Sequence, residues 1–170
     1  MKNQPQMVAD YNVYDRFDKM LGVASVTMPT LAWQTMNMNG AGIAGIVEVV
    51  GRGMPEAMTL GIDFRMVTDE AYKLATPEIH LVTLRAAQQY EDGINGKIVV
   101  KGVKHVFGLM PKSLNAGSIK QAATHDGSGQ YAVRSWKCYI DDELVIDIDQ
   151  LNGKCFIYGV DYRADINAVI

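Results

Sequence analysis

The chain has 170 residues, 48% hydrophobic and 21% charged, enough for one sizeable core and short for two domains. Sixteen basic against nineteen acidic residues leave a formal charge of −3, which argues against a nucleic-acid binder that works by neutralising phosphates. No apolar run reaches the ~18 residues of a membrane span, Met1-Lys2-Asn3-Gln4-Pro5-Gln6 lacks the apolar core of a leader peptide, and Cys138 and Cys155 are too few for a disulfide framework or a zinc site.

Strands are expected at about 9–15 and 20–28. The stretch 29–42 follows, with no sustained helical or strand period, yet it carries Leu31, Trp33, Met36 and Met38. A loop of this length in a compact domain usually has a job, and its apolar side chains point to packing against something outside the domain. The alternative, that it folds back over its own sheet edge, stays open on these residues alone. A β-branched run at 43–50 comes next, then Gly51-Arg52-Gly53-Met54-Pro55, which has the composition of a turn. It predicts a hairpin with the clearest strand, 58–66, where Met58, Leu60, Ile62, Phe64 and Met66 alternate with Thr59, Gly61, Asp63 and Arg65. Met58 and Met66 are expected to fill the core.

One helix is well marked at about 68–76, with Thr68 as cap, Asp69 and Glu70 at its positive end and Pro77 as its stop. Further strands read at about 79–90, 97–110, 131–140, 143–149 and 154–160. Asp141-Asp142 makes a tight hairpin turn, His125 to Gly129 a longer polar one, and a short turn at 162–168 is capped by Asp161. Many strands and one helix predict a mainly β, antiparallel fold, either a β-sandwich or a rolled sheet, spanning 1–170 as a single domain.

Motifs for chemistry are weak. Gly40-Ala41-Gly42-Ile43-Ala44-Gly45 matches G-x-G-x-x-G, but a polar loop precedes it and a strand-forming run follows, where a dinucleotide site needs strand then helix. Asp147-Ile148-Asp149-Gln150-Leu151-Asn152-Gly153 has its glycine one place late for a calcium loop, and the twelfth position is Tyr158 instead of glutamate. His80, His105 and His125 share no motif with a nucleophile, and the cysteines sit on expected strands as small core hydrophobes. No catalysis, cofactor or metal is expected. A small ligand-binding or nucleotide-binding monomer is the competing class.

The order of pieces resembles the major tail tube protein of contractile-tailed bacteriophages, the family of P2-type phages and R-type pyocins. Three stretches carry the resemblance: Val26-Thr27-Met28-Pro29 running into the long loop; Gly40-Ala41-Gly42 through Glu48 to Gly51 and Met58; and the closing signature. That signature is Trp136-Lys137-Cys138-Tyr139-Ile140-Asp141-Asp142-Glu143, then Ile146-Asp147-Ile148-Asp149, Asn152-Gly153 and Gly159-Val160-Asp161.

The resemblance implies hexameric rings in which sheets from six subunits join into one continuous β-barrel around a channel. Rings stack into the inner tube of a contractile tail, with self, sheath, baseplate and tail terminator as partners and no stable membrane association. DNA passes through the lumen without specific binding, and the tube belongs to a virion assembled in the host bacterial cytoplasm. A DNA-free phage-tail-like bacteriocin tube is the alternative. Four strands per subunit would give a 24-stranded barrel about 37 Å across the backbone at ~4.8 Å per strand, wide enough for a duplex. In that setting the extended loop at about 29–45 is an assembly loop, with Leu31, Trp33, Met36, Met38, Gly40 and Gly42 as its candidate residues. The 43–50 and 56–66 hairpin is the expected channel wall, with Glu48, Thr59, Asp63 and Arg65 on its polar face and Arg65 either paired to Asp63 or Glu48 or facing a neighbouring subunit.

Overall fold

The computed structural model describes residues 3–170, so Met1 and Lys2, which open the segment read against a leader peptide, lie outside the described residues. In chain order the strands are β1 (Asn3–Tyr14), β2 (Val23–Thr27), β3 (Trp33–Met38), β4 (Val47–Pro55) and β5 (Met58–Phe64). After helix α1 (Asp69–Lys73) come β6 (His80–Asp92), β7 (Ile98–Asn115), β8 (Gly127–Ile140), β9 (Glu143–Asp149), β10 (Lys154–Ile157) and β11 (Val160–Asp161), then the four-residue helix α2 (Ala164–Asn167). The mainly β, antiparallel class holds.

Nine strands form one sheet and β3 with β4 a separate two-stranded one. In the large sheet β1, β6, β7 and β8 pair in that order. The far edge of β8 is shared: its first half, Gly127 to Val133, pairs with β5, and its second half, Ser135 to Ile140, pairs with β9. The sheet therefore forks at the middle of β8, one branch running to β5 and β2, the other to β9, β10 and β11. The β7–β8 ladder is irregular at the same level, with Arg134 of β8 unpaired between Gly108 and Leu109 and Lys112 of β7 unpaired between Pro111 and Ser113. At Gly108 a Cβ would sit 2.5 Å from Ser135 Oγ, so a larger residue there would have to turn the Ser135 hydroxyl aside. The β5–β2 branch curls back to the start of the sheet, where Met20 bridges Tyr14 and Leu21 N–H donates to Val13 O at 2.8 Å.

The inside of this roll is the core. Leu60, Ile62 and Phe64 meet Val82 and Leu84, Phe107 and Leu109, Tyr131 and Val133, with Ile148 and Cys155 from the second branch. Each set alternates along its strand, as period two requires. Helix α1 lays Ala71 and Leu74 on the same core; Thr68 stands at its N-cap position but makes no side-chain cap bond.

The structure corrects several expectations. The 43–50 run does not pair with 58–66: β4 pairs with β3, and β5 pairs with β2 and β8. Gly51 to Pro55 is extended within β4, and six residues of the expected loop form strand β3. Met66 lies beyond the end of β5 and is 51% exposed, whereas Met58 is buried as expected. Gly127–Ile140 is one strand, so the polar turn ends before Gly127. The 154–160 strand is broken at Tyr158, whose φ of 49° starts a turn. The Asp141-Asp142 turn matches expectation, both residues having the positive φ (48° and 65°) of a two-residue hairpin.

Candidate assembly surfaces

The β3–β4 hairpin stands apart from the main sheet as an arm. Its register (Met36 opposite Val49, Met38 opposite Val47) puts Met36, Met38, Val47 and Val49 on one face, and Thr35, Asn37, Glu48 and Val50 on the other. The apolar face is uncovered: Met36 is 63%, Met38 42%, Val47 46% and Val49 36% exposed. Gly40, Gly42 and Gly45 lie in the tip between the strands, all with positive φ, and a strand follows them. A dinucleotide fingerprint needs a helix there, so the motif is excluded. At the root of the arm, Leu31 and Trp33 pack against the core cluster and are half-buried. The six assembly-loop candidates thus divide: Leu31 and Trp33 anchor, Met36 and Met38 form the apolar face, Gly40 and Gly42 shape the tip.

A second surface is the outside of β2, β5, the first half of β8 and the last third of β7. Here Ser25 and Thr27, Thr59 and Asp63, Ser128 and Gln130, and Lys112 share one face. Ser25 Oγ donates to Asp63 Oδ2 at 2.6 Å, and Lys112 Nζ donates to Thr59 Oγ1 at 3.3 Å across the intervening strand. The face is hydroxyl- and amide-rich, with one acid and one base. Thr59 and Asp63 stand on it as the sequence suggested. Arg65 follows the end of β5, is exposed, and makes no ion pair with Asp63 or Glu48 among the described residues. Glu48 lies on the arm opposite Asn37, away from this sheet. Ser25, Lys112 and Gln130 went unnoticed in the sequence, although the alternation of Ser128, Gln130 and Ala132 with Gly129, Tyr131 and Val133 was there to be read.

This four-stranded sheet has two free edges. Among the described residues β2 pairs with β5 alone. On the other side β6 begins opposite Leu109, so residues 110–115 of β7 pair only with β8. Pro111, which has no N–H to give, falls in that singly paired stretch, as a strand proline should. A third uncovered region is the shared outer end of β1, β6 and β7, where Met7, Val8 and Val100 are each more than half exposed. Its edge strand β1 carries two register shifts, which blunt pairing.

Elsewhere the polar groups have structural roles. Both cysteines are buried and unpaired, and burial pushes each thiol up from its ordinary value. Buried Asp147 accepts from Lys154 Nζ at 2.5 Å, which raises the lysine's pKa. Trp136 Nε1–H donates to His105 Nδ1 at 3.2 Å beside Phe107. Among the described residues no three His, Cys, Asp or Glu side chains are grouped to hold a metal.

This fold is shared with chains of solved contractile injection systems. The sheath/tube terminator of an extracellular contractile injection system, PVC, in its extended state, superposes with a TM-score of 0.55 at 11% identity, over 79% of this chain and 96% of that one. The extended PVC sheath-tube complex gives 0.55 at 10% identity, over 79% of this chain and 90% of that chain. The anti-feeding prophage baseplate gives 0.50 at 6%, over 81% and 97%. At these identities the likeness is one of fold. No curated protein matches the sequence. The chain belongs to the phage tail tube protein FII family, whose model matches residues 5–170. It is a structural, tube-forming protein and not an enzyme.

Proposed function

We propose that residues 1–170 act as one tail-tube domain, six copies of which close into a ring, and that rings stack into the inner tube of a contractile particle. The observation that carries this reading is the pair of free edges on the four-stranded sheet. The strands β2, β5, β8 and β7 are successively antiparallel, so with an even number the two outer strands run in opposite directions. Copies placed side by side can then join β2 of one to residues 110–115 of the next as an antiparallel pair, which removes both edges. Four strands from each of six copies give a wall about 37 Å across at ~4.8 Å per strand, before tilt widens it.

In that ring the Thr59 and Asp63 face lines the channel, and Arg65 lies at its rim. Glu48 leaves the wall and moves with the arm. The arm lays Met36, Met38, Val47 and Val49 on a neighbouring copy, and sheath, baseplate and terminator are the further partners. A virion tube that passes DNA and the tube of a DNA-free injection particle share all of this. The likeness to PVC chains favours the second.

Negative-stain electron microscopy of the purified protein tests the ring. Six-membered rings and tubes with an open channel are expected, and protein that stays monomeric across a wide concentration range refutes it. Nucleic acid recovered from nuclease-treated particles would overturn the DNA-free reading.

A further inference from the structure

We propose that the C-terminal segment 162–167 is a clasp that fixes the arm on the body, with Arg163 as its positioning residue. The arm shares no ladder with the main sheet, and a lone two-stranded hairpin is marginal in water. Leu31 and Trp33 seat one strand of its root on the core, and the other strand, β4, needs a tie of its own.

The register of the arm shows where. Trp33 is opposite Pro55 and Thr35 is opposite Val50, so residues 51–54 of β4 face only Gln34. This surplus stretch is the part that meets the C-terminal segment. Arg163 Nη1 donates to Gly53 O at 3.3 Å. Gly53 has φ +67°, and a Cβ there would lie 2.7 Å from Arg163 Cγ and 2.8 Å from Tyr162 O. Conformation and space both demand glycine. Arg52 stands 5.7 Å over the Tyr162 ring and 3.5 Å from Asp165. That ion pair is 64% and 86% exposed and contributes little, so within the C-terminal segment the weight falls on Arg163. On the other side of the root, Gln150 Nε2 donates to Pro55 O at 3.1 Å and Glu56 O at 2.9 Å.

The clasp is itself tied to the body. Tyr162 N–H donates to the carbonyl of fully buried Cys155 at 2.9 Å, Arg163 N–H to Asp161 Oδ1 at 2.9 Å, and Asn167 Nδ2 to Gly153 O at 3.1 Å. An unbroken path of contacts runs from the core through Cys155, Tyr162 and Arg163 to Gly53. The fixing of the arm is a property of the free subunit; only its consequence for assembly rests on the arm being a docking element.

The test is hydrogen exchange on dilute, unassembled subunit, for wild type, Arg163→Ala and Gly53→Ala, with tube growth followed in parallel. Loss of a charge-assisted bond to the arm root should speed amide exchange across 33–38 and 47–55 about tenfold or more. Amides of 60–64, 107–109 and 131–133 should keep wild-type rates. Arg163→Ala carries the test alone if Gly53→Ala does not fold. Wild-type exchange in the arm of Arg163→Ala overturns the clasp, whatever the tubes do. Faster arm exchange with slower tube growth supports both clasp and docking. Faster exchange with wild-type tube growth supports the clasp and removes the docking role of the arm.

Discussion

Replacing Met36 and Met38 together by alanine separates assembly from folding. Both side chains lie on the uncovered face of the arm, 63% and 42% exposed, and neither belongs to the core cluster. Full burial of a methionine stabilises by about 1.5–3 kcal/mol relative to full exposure. Covering the exposed fractions would therefore contribute about 1–2 kcal/mol at Met36 and about 1 kcal/mol at Met38. Association recovers only part of such a transfer energy, so about 1.4 kcal/mol per contact, or tenfold in affinity, is a conservative expectation. The double variant should raise the protein concentration needed for pelletable tubes about tenfold or more. Its urea midpoint as a monomer should correspond to wild-type stability within about 0.5 kcal/mol, since exposed positions carry little. Trp33→Ala would be a poorer probe, because Trp33 packs on the core and its loss weakens the monomer as well. An unchanged concentration threshold, or a fall in monomer stability that accounts for the loss of tubes, would refute the reasoning.

Two further predictions concern the core of the subunit. His105 accepts from Trp136 through Nδ1, which favours the neutral ring, and burial lowers its pKa below the ordinary 6.5. Between the folded value and 6.5 the unfolded chain binds more protons, so stability rises with pH in that window and is lost as pH falls below about 6.5. The urea midpoint should drop more from pH 7 to pH 5 in wild type than in His105→Gln, and equal drops would show that His105 titrates alike in both states. Tyr131 buries a hydroxyl with no hydrogen-bond partner among the described residues, and burial pushes its pKa up to about 12. Tyr131→Phe should be neutral or stabilising by up to about 1 kcal/mol in thermal unfolding; a loss of 1 kcal/mol or more would mean that the hydroxyl is bonded.

The sequence revealed what local chemistry decides. Strict alternation placed Leu60, Ile62 and Phe64 in the core, and Asp141-Asp142 made the turn its composition demands. Partner choice was hidden because it is non-local. Adjacent strand-like runs usually pair, which favoured β4 with β5, yet β5 lies between β2 and β8. Gly51-Arg52-Gly53-Met54-Pro55 carries the residues of a turn for another reason: Gly53 makes room for Arg163, 110 positions later. Strand β7 runs on to Asn115, past the end expected at about 110, where Pro111 and Lys112 break the apolar pattern. Those residues mark a singly paired edge. Of the candidate surfaces, the apolar residues of the arm and the polar face of β5 were legible, and the edges that would join one copy to another were not.

The polar face also gives the formal charge of −3 a sharper meaning. Its two charged groups are each engaged locally, Asp63 with Ser25 and Lys112 with Thr59, and one offsets the other. In the proposed ring the wall is then close to neutral, and the acidic excess of the chain lies elsewhere. A lining of hydroxyls and amides hydrogen-bonds to water and offers phosphates no array of cations to condense on. The same lining gives no apolar patch to hold a polypeptide. Such a wall lets either cargo slide, so one subunit design serves a DNA-carrying tail and a DNA-free injection tube alike. On this reading the choice of cargo belongs to other components of the particle, and what this chain supplies is two free sheet edges, an apolar arm and a channel face that binds nothing tightly.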